Sequence, residues 1–344
     1  MQLRTSVTLA GAIAGLLSLA IATPALAGKT IDAIKARGQL VCGVNTGLAG
    51  FSAADSQGNW SGLDVDFCKA IAATLLSDAS KVKWAPLNAQ QRFTALQSGE
   101  VDVLSRNTTF TLTRDASLGL LSTTPTYYDG QGFMVTKKSK ITSAKQLKNA
   151  EICVQSGTTT EKNLNDYFKG QNIKIKSVVF EGFEASVKAF FSGRCQAYTT
   201  DASGLASIRN KEAKNPEDFV ILPELISKEP LGPMVRRGDE EFYAIVKWVV
   251  YALLEAEEYG ITQENVDMMK TSTDPAIARI LGTSEDTGKL LGLDKDWAYR
   301  AIKAVGNYGE IFERNVGPKS ALKLPRGLNN LWSKGGIQYA MPIR

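Results

Sequence analysis

Apolar positions along the chain alternate between two patterns, the short unbroken runs of buried strands and the three-to-four spacing of helices. Gln39 to Val44 is such a run and ends in Asn45-Thr46-Gly47, which predicts a strand followed by a turn. From about Asp64, the residues Ile71, Ala72, Leu75 and Leu76 fall on one stripe, predicting a helix with Asp64 as its N-cap. Gln91 to Gln97 reads as a helix stopped by Gly99, and Val101 to Ser105 as the next strand. This β-α-β succession predicts an α/β fold with mostly parallel sheets covered by helices. In such sheets, ligands sit beyond the carboxyl ends of the strands.

The order then repeats, with a strand over Glu151 to Gln155, a helix over Thr159 to Phe168 and a strand over Val178 to Glu181. Phe93-Thr-Ala-Leu-Gln-Ser-Gly-Glu-Val-Asp-Val-Leu-Ser and Val187-Lys-Ala-Phe-Phe-Ser-Gly-Arg-Cys-Gln-Ala-Tyr-Thr match in spacing: helix end, Ser-Gly stop, strand. The repeat predicts two similarly built lobes. Asn107 and Asp201 then hold equivalent places just past equivalent strands, both facing a cleft. Thr126 to Val135 and Glu229-Pro-Leu-Gly-Pro-Met-Val-Arg-Arg-Gly-Asp show no helical pattern and read as two extended crossings between the lobes. Phe242, Ile245, Val249, Ala252 and Leu253 make the stripe of a long helix over Glu240 to Tyr259. The expected division is a first lobe over 28–130 and 233–265, a second over 131–232, and a helical extension over 266–344.

The N-terminus changes the picture of where the chain works. Arg4 precedes a charge-free apolar run from Val7 to Ile21, and Ala25-Leu26-Ala27 supplies a small-x-small cleavage pattern, so residues 1–27 read as a secretory signal. No cysteine follows Ala27, which argues against a lipid anchor, and the mature chain is expected to begin near Gly28. The net charge of +5 is spread without a basic block, which speaks against a nucleic-acid face. The chain has no histidine, which removes Ser-His-Asp and Cys-His catalysis and most zinc chemistry. Cys42, Cys68, Cys153 and Cys195 contain no CxxC pair and, in an oxidising compartment, are candidates for disulfides with three possible pairings.

Five segments in a fixed order carry a family resemblance. They are Gly58-Asn-Trp-Ser-Gly-Leu-Asp-Val-Asp-Phe, Arg92-Phe-Thr-Ala-Leu-Gln-Ser-Gly-Glu-Val-Asp-Val-Leu, Gln155-Ser-Gly-Thr-Thr-Thr-Glu, Thr199-Thr-Asp and the Glu229 segment quoted above. Over about residues 30–260 the chain resembles the periplasmic solute-binding proteins of polar amino-acid ABC importers, the family 3 extracellular solute-binding proteins. Arg106-Asn-Thr-Thr and the closing Leu324-Pro-Arg-Gly-Leu-Asn-Asn-Leu-Trp resemble the branch for general L-amino acids, which also carries a long C-terminal extension. The resemblance implies a type II two-lobed binding protein with two crossing hinge strands. It implies a periplasmic monomer that captures a free L-amino acid by hinge closure and delivers it to an inner-membrane ABC permease. No catalysis, cofactor, metal or nucleic acid is expected.

An amino acid buried in a closed cleft needs both of its charges paired. The resemblance puts Arg114 on the ligand carboxylate, helped by Thr109 and, from the second lobe, by Thr159 at a helix N-terminus. Arg106 is the rival anchor, and an Arg114–Asp115 surface pair is the alternative use of Arg114. Asp201 is expected on the ammonium, with a backbone carbonyl near Asn107 beside it, unless it merely caps the helix before Gly204. Thr158 suits both a helix cap and the cleft. Arg92 implies a preference for acidic or amide side chains, unless it is a solvated helix-face residue. Phe51 is expected either against the ligand's carbons or in the lobe core. Asn45 is an added candidate at the first strand's end, and Trp60 reads as structural. Hinge motion favours Cys42–Cys68 and Cys153–Cys195, since joining Cys42 to Cys153 ties the lobes together. A second reading, an enzyme resembling the periplasmic prephenate or arogenate dehydratases, needs a cleft acid to expel a leaving group and has no histidine to relay protons.

Overall fold

The structure, a computed structural model, describes residues 29–344, so the secretory segment expected over 1–27 lies outside the described residues. Two five-stranded sheets share one plan. In the first, Leu40–Val44 lies between Val82–Pro86 and Val103–Leu104, both parallel to it, and Met234–Arg236 joins antiparallel beside Leu120–Ser122. In the second, Glu151–Gln155 lies between Lys176–Phe180 and Ala197–Asp201, both parallel, and Gln131–Thr136 joins antiparallel beside Phe219–Ile221. Between the sheets runs a ribbon of Tyr127–Asp129 paired antiparallel with Glu229–Leu231.

The internal repeat has a structural counterpart. Helix Gln91–Ser98 ends at Gly99 and helix Phe183–Phe191 runs into Ser192-Gly193. Gly99 and Gly193 have φ of 82° and 80°, a left-handed turn that a side chain would strain. Each turn feeds the strand that carries Asn107 or Asp201 toward the other sheet. One expectation fails locally. The helix Leu63–Leu76 has Gly62, not Asp64, at its cap position. Asp64 sits in the first turn, where its carboxylate accepts from the Asn107 amide at 2.7 Å and the Ser105 hydroxyl at 3.3 Å. It braces the loop on which Asn107 sits, and burial pushes its pKa up to about 6.

Disulfides join Cys42 to Cys68 and Cys153 to Cys195, each within one sheet and its helices. Loops of this size are held by about 3–4 kcal/mol of removed unfolded-chain entropy per bridge. Trp60 stacks on Trp84 at 6.1 Å.

The C-terminal segment builds the first lobe's core rather than appending to it. Helix Trp297–Val305 packs Trp297, Ala301 and Ile302 into the same buried cluster as Phe67 and Ile71 of helix Leu63–Leu76 and Ile245 and Val249 of helix Glu240–Glu258. The C-terminal segment also reaches the ribbon, where Phe312 stacks on Tyr127 at 6.0 Å. Tyr308 donates its hydroxyl to the Thr126 carbonyl at 2.9 Å, and the Asn329 carboxamide binds both main-chain groups of Tyr128, at 2.6 and 3.0 Å.

Candidate functional site

A narrow cavity lies between the two sheets, lined by Arg92, Arg106, Asn107 and Thr109 from the first and by Thr158, Thr159 and Asp201 from the second. Residues from both walls meet across it. Asn107 Nδ2 donates to Asp201 Oδ2 at 3.4 Å, and the Thr109 and Thr159 hydroxyls lie 3.3 Å apart. Outside the cavity, Ser207 donates to the Ala49 carbonyl at 2.8 Å. The cleft is closed.

The first wall is strongly cationic. Arg92 and Arg106 line the cavity and are only 3% and 2% exposed, so Arg92 is no solvated helix-face residue. Arg92 Nη1 donates to Thr108 Oγ1 at 3.3 Å and Arg106 Nε to the Leu87 carbonyl at 2.9 Å, while Arg92 Nε and Arg106 Nη2 have no partner among the described residues. Buried guanidinium donors left unpaired are costly, and an anion in the cavity relieves that cost. Burial lowers all three neighbouring arginines, Arg106 and Arg114 to about 10. Arg114 stands one step away: Nη1 donates to the Thr109 carbonyl at 2.7 Å, and its side chain lines an adjoining depression with Thr158 and Thr159. Asp115 is occupied by Ser122 instead, with bonds of 3.0 and 2.7 Å from its amide and hydroxyl, so no Arg114–Asp115 pair forms.

The second wall supplies the acid. Asp201 occupies the cap position of helix Ala202–Glu212 but makes no cap hydrogen bond. Its one side-chain hydrogen bond among the described residues comes from Asn107, although it is 6% exposed. Burial, then the charges of Asp129 and Glu229, hold its carboxyl well above the usual carboxylate range. Asp129 is itself pushed up to about 6, chiefly by burial, while accepting from the Ser203 hydroxyl. Three carboxylates therefore crowd one spot, which an ammonium would relieve. Thr158 caps helix Thr159–Gly170, its hydroxyl accepting from the Glu161 amide at 3.1 Å, and also lines the cavity. Asn45 lines the cavity too and donates to Asn107 Oδ1 at 3.0 Å.

Phe51 is corrected to the core alternative. It is 1% exposed and packs edge-on against Tyr127 at 5.3 Å, because the chain turns after Leu48 and carries Phe51 under the ribbon. Leu48 takes its place on the cavity wall.

Sequence reasoning missed Glu229. Its Oε2 accepts from the Thr109 and Thr159 hydroxyls at 2.6 and 2.8 Å, and its Oε1 from Asn163 and Ser227 at 2.8 and 2.6 Å. One hinge carboxylate thus ties both lobes. It also takes the protons of the two threonine hydroxyls, leaving guanidinium and main-chain N–H groups as the donors for a bound carboxylate. The signal was present, in a charged residue opening a hinge strand ahead of Pro230.

A sequence profile of the bacterial extracellular solute-binding proteins, family 3, matches residues 40–265. The chain belongs to this family. Among its relatives, "General L-amino acid-binding periplasmic protein AapJ" of Rhizobium johnstonii is 58% identical over 338 residues, spanning 98% of this chain and 99% of that one. "Glutamate/glutamine/aspartate/asparagine-binding protein BztA" of Rhodobacter capsulatus is 52% identical over 340 residues, covering 98% of each. Among solved structures, "ABC transporter / periplasmic binding protein from Brucella ovis with glutathione bound" superposes with a TM-score of 0.90 at 57% identity, covering 92% of this chain and 99% of that one. A family 3 solute-binding protein needs a cleft that closes over its solute, and the facing walls described above are built for one that carries both charges.

The raised carboxyls give opposite pH trends for binding and for stability. An acid with its folded pKa raised holds its proton in the ligand-free fold, so its stabilising effect is present at acid pH and lost as pH rises through that pKa. Asp64 and Asp129 at about 6 and Glu255 at about 7 should therefore raise the ligand-free Tm as pH falls from 7.5 to 5. A ligand ammonium needs Asp201 ionised, and the fold holds that carboxyl above the usual range, so binding should weaken as pH falls. Thermal melts and calorimetry in buffers of different ionisation heat read the two trends; parallel trends would count against Asp201 as the ammonium partner.

Proposed function

We propose that this chain is the periplasmic substrate-binding component of an ABC importer. It captures free L-amino acids between a first lobe (28–130 and 233–265) and a second (131–232), and hands them unchanged to an inner-membrane permease. The observation that carries this reading is a cavity in a closed cleft with Arg92 and Arg106 on one wall and Asp201 on the other, all buried and none fully hydrogen-bonded among the described residues. Arg114, with Thr109 and Thr159, is the carboxylate anchor, and Asp201 with Asn107 the ammonium anchor. Asn45 and Thr158 border them. The names of the relatives support an amino-acid ligand. The glutathione of the Brucella structure fits the same reading, because its glutamyl residue is joined through the side chain and keeps a free α-amino and α-carboxylate group. Among the described residues, no helix is long and apolar enough to cross a membrane. A dehydratase reading gains no support, since the relatives named above are titled binding proteins.

Ligand favours closure only through contacts made in the closed form, here Thr159 and Asp201. Arg92 gives the cavity its preference for glutamate, aspartate and glutamine. Arg92→Leu should weaken glutamate by about tenfold or more while changing alanine and leucine by less than about threefold. Calorimetric titration of the three ligands decides it, and equal losses for all of them would refute the specificity role. Absence of binding by all twenty amino acids in a thermal-shift screen of the wild type would remove the proposal itself.

A further inference from the structure

Glu229 is 1% exposed and forms no salt bridge among the described residues. Its carboxylate is met instead by four neutral donors, the side chains of Thr109, Thr159, Asn163 and Ser227. A buried carboxylate held in this way leans on each of those bonds. Thr109 and Thr159 line the inner cavity, whereas Glu229 and Asn163 stand behind its wall.

The backbone that follows Glu229 is knitted to the first lobe. The Pro230 carbonyl accepts from the Phe110 amide at 2.9 Å, the Gly232 amide donates to the Thr108 carbonyl at 3.1 Å, and Leu231 forms a bridge with Thr109. The carboxylate therefore keeps its place against the loop that carries Thr109. On its other side, helix Thr159–Gly170 sets Thr159 and Asn163 one turn apart on a single face. Both reach the carboxylate at 2.8 Å, Thr159 on Oε2 and Asn163 on Oε1. These two bonds join the lobes. The bond from Ser227 stays within the crossing, two residues away along the chain.

Resting on the amino-acid reading above, we propose that Glu229 and Asn163 form a latch that sets how long a captured solute stays, without either residue touching it. The second lobe swings away only when its helix gives up both bonds to Glu229, and bonds to an ionised acceptor are the stronger kind. Escape of the solute requires that opening, whereas entry into an open cleft does not. The latch therefore acts on release and leaves capture alone. Because neither residue meets the ligand's side chain, the effect is the same for an acidic amino acid and a small apolar one, unlike that of Arg92. Glu229 is a positioning residue, acting through Thr159 and the helix that Thr159 opens.

The test is a rapid-mixing chase of radiolabelled glutamate and alanine, which reads release, paired with association rates for the same two probes. Asn163→Ala should speed the release of both about tenfold while changing association by less than about twofold. Glu229→Gln should speed release at least as much. The double variant should release no faster than Glu229→Gln alone, because the two side chains act as one unit. A thermal melt shows that each variant is folded; should Glu229→Gln fail to fold, Asn163→Ala, on a half-buried helix position, still decides the matter. Release unchanged by Asn163→Ala, additive effects in the double variant, or slowed association in place of faster release overturns the latch and leaves the amino-acid reading standing. Failure of the wild type to hold either probe overturns the reading on which it rests.

Discussion

Arg114→Ala is expected to abolish measurable binding of every amino acid, whatever its side chain. Arg114 is 7% exposed, the one hydrogen bond of its guanidinium among the described residues goes to the Thr109 carbonyl, and the acidic side chains that act on it most are Glu229 and Asp201. Removing the cation opposite a buried carboxylate costs about 3–5 kcal/mol, a loss of more than about 100-fold in affinity. Lysine should recover little, because it offers one point charge where the arginine offers a planar fork. The readout is calorimetric titration of several amino acids, alongside a thermal melt to show that the variant is folded. Undiminished titration in a folded Arg114→Ala protein would pass the carboxylate role to Arg106, whose Nη2 is buried without a partner.

Asp201→Asn should separate binding from stability. In the ligand-free protein the Asp201 carboxyl is burdened by burial and by Asp129 and Glu229, so a neutral amide of the same shape relieves the fold. The variant should melt at a higher temperature than the wild type at pH 7.5 and bind amino acids about 100-fold more weakly. A fall in both quantities would mean that Asp201 is structural, and a rise in Tm with intact binding would mean that the ammonium is met elsewhere.

The parts of this molecule legible in the sequence were those set by local periodicity. The strand Glu151–Gln155, the helix Thr159–Gly170 and the long helix Glu240–Glu258 follow apolar spacing that needs no knowledge of the rest of the chain. The Ser-Gly repeat went further, since it paired Asn107 with Asp201, and the two side chains do meet. What was lost depends on tertiary routing. Asp64 looked like a cap because capping residues precede apolar stripes, but the loop bearing Ser105 and Asn107 lies over that helix end and claims the carboxylate. Phe51 and Leu48 are equally apolar, and only the turn between them decides which meets the cavity. Glu229 was hidden because its four partners come from sites up to 120 residues away along the chain. The last eighty or so residues resisted reading because their helices are short and owe their stability to neighbours rather than to propensity.

The clamp of Asn329 on Tyr128 makes the far end of the chain a splint on one of the two crossings. The same tail touches the second lobe, where Asn210 donates to the Ala321 carbonyl at 3.1 Å. Opening the cleft must break that bond or drag the tail along, so the work of opening is shared with residues that never meet the ligand. Dissociation rates are thereby tunable from the molecule's far edge, by changes that leave every wall of the cavity as it is.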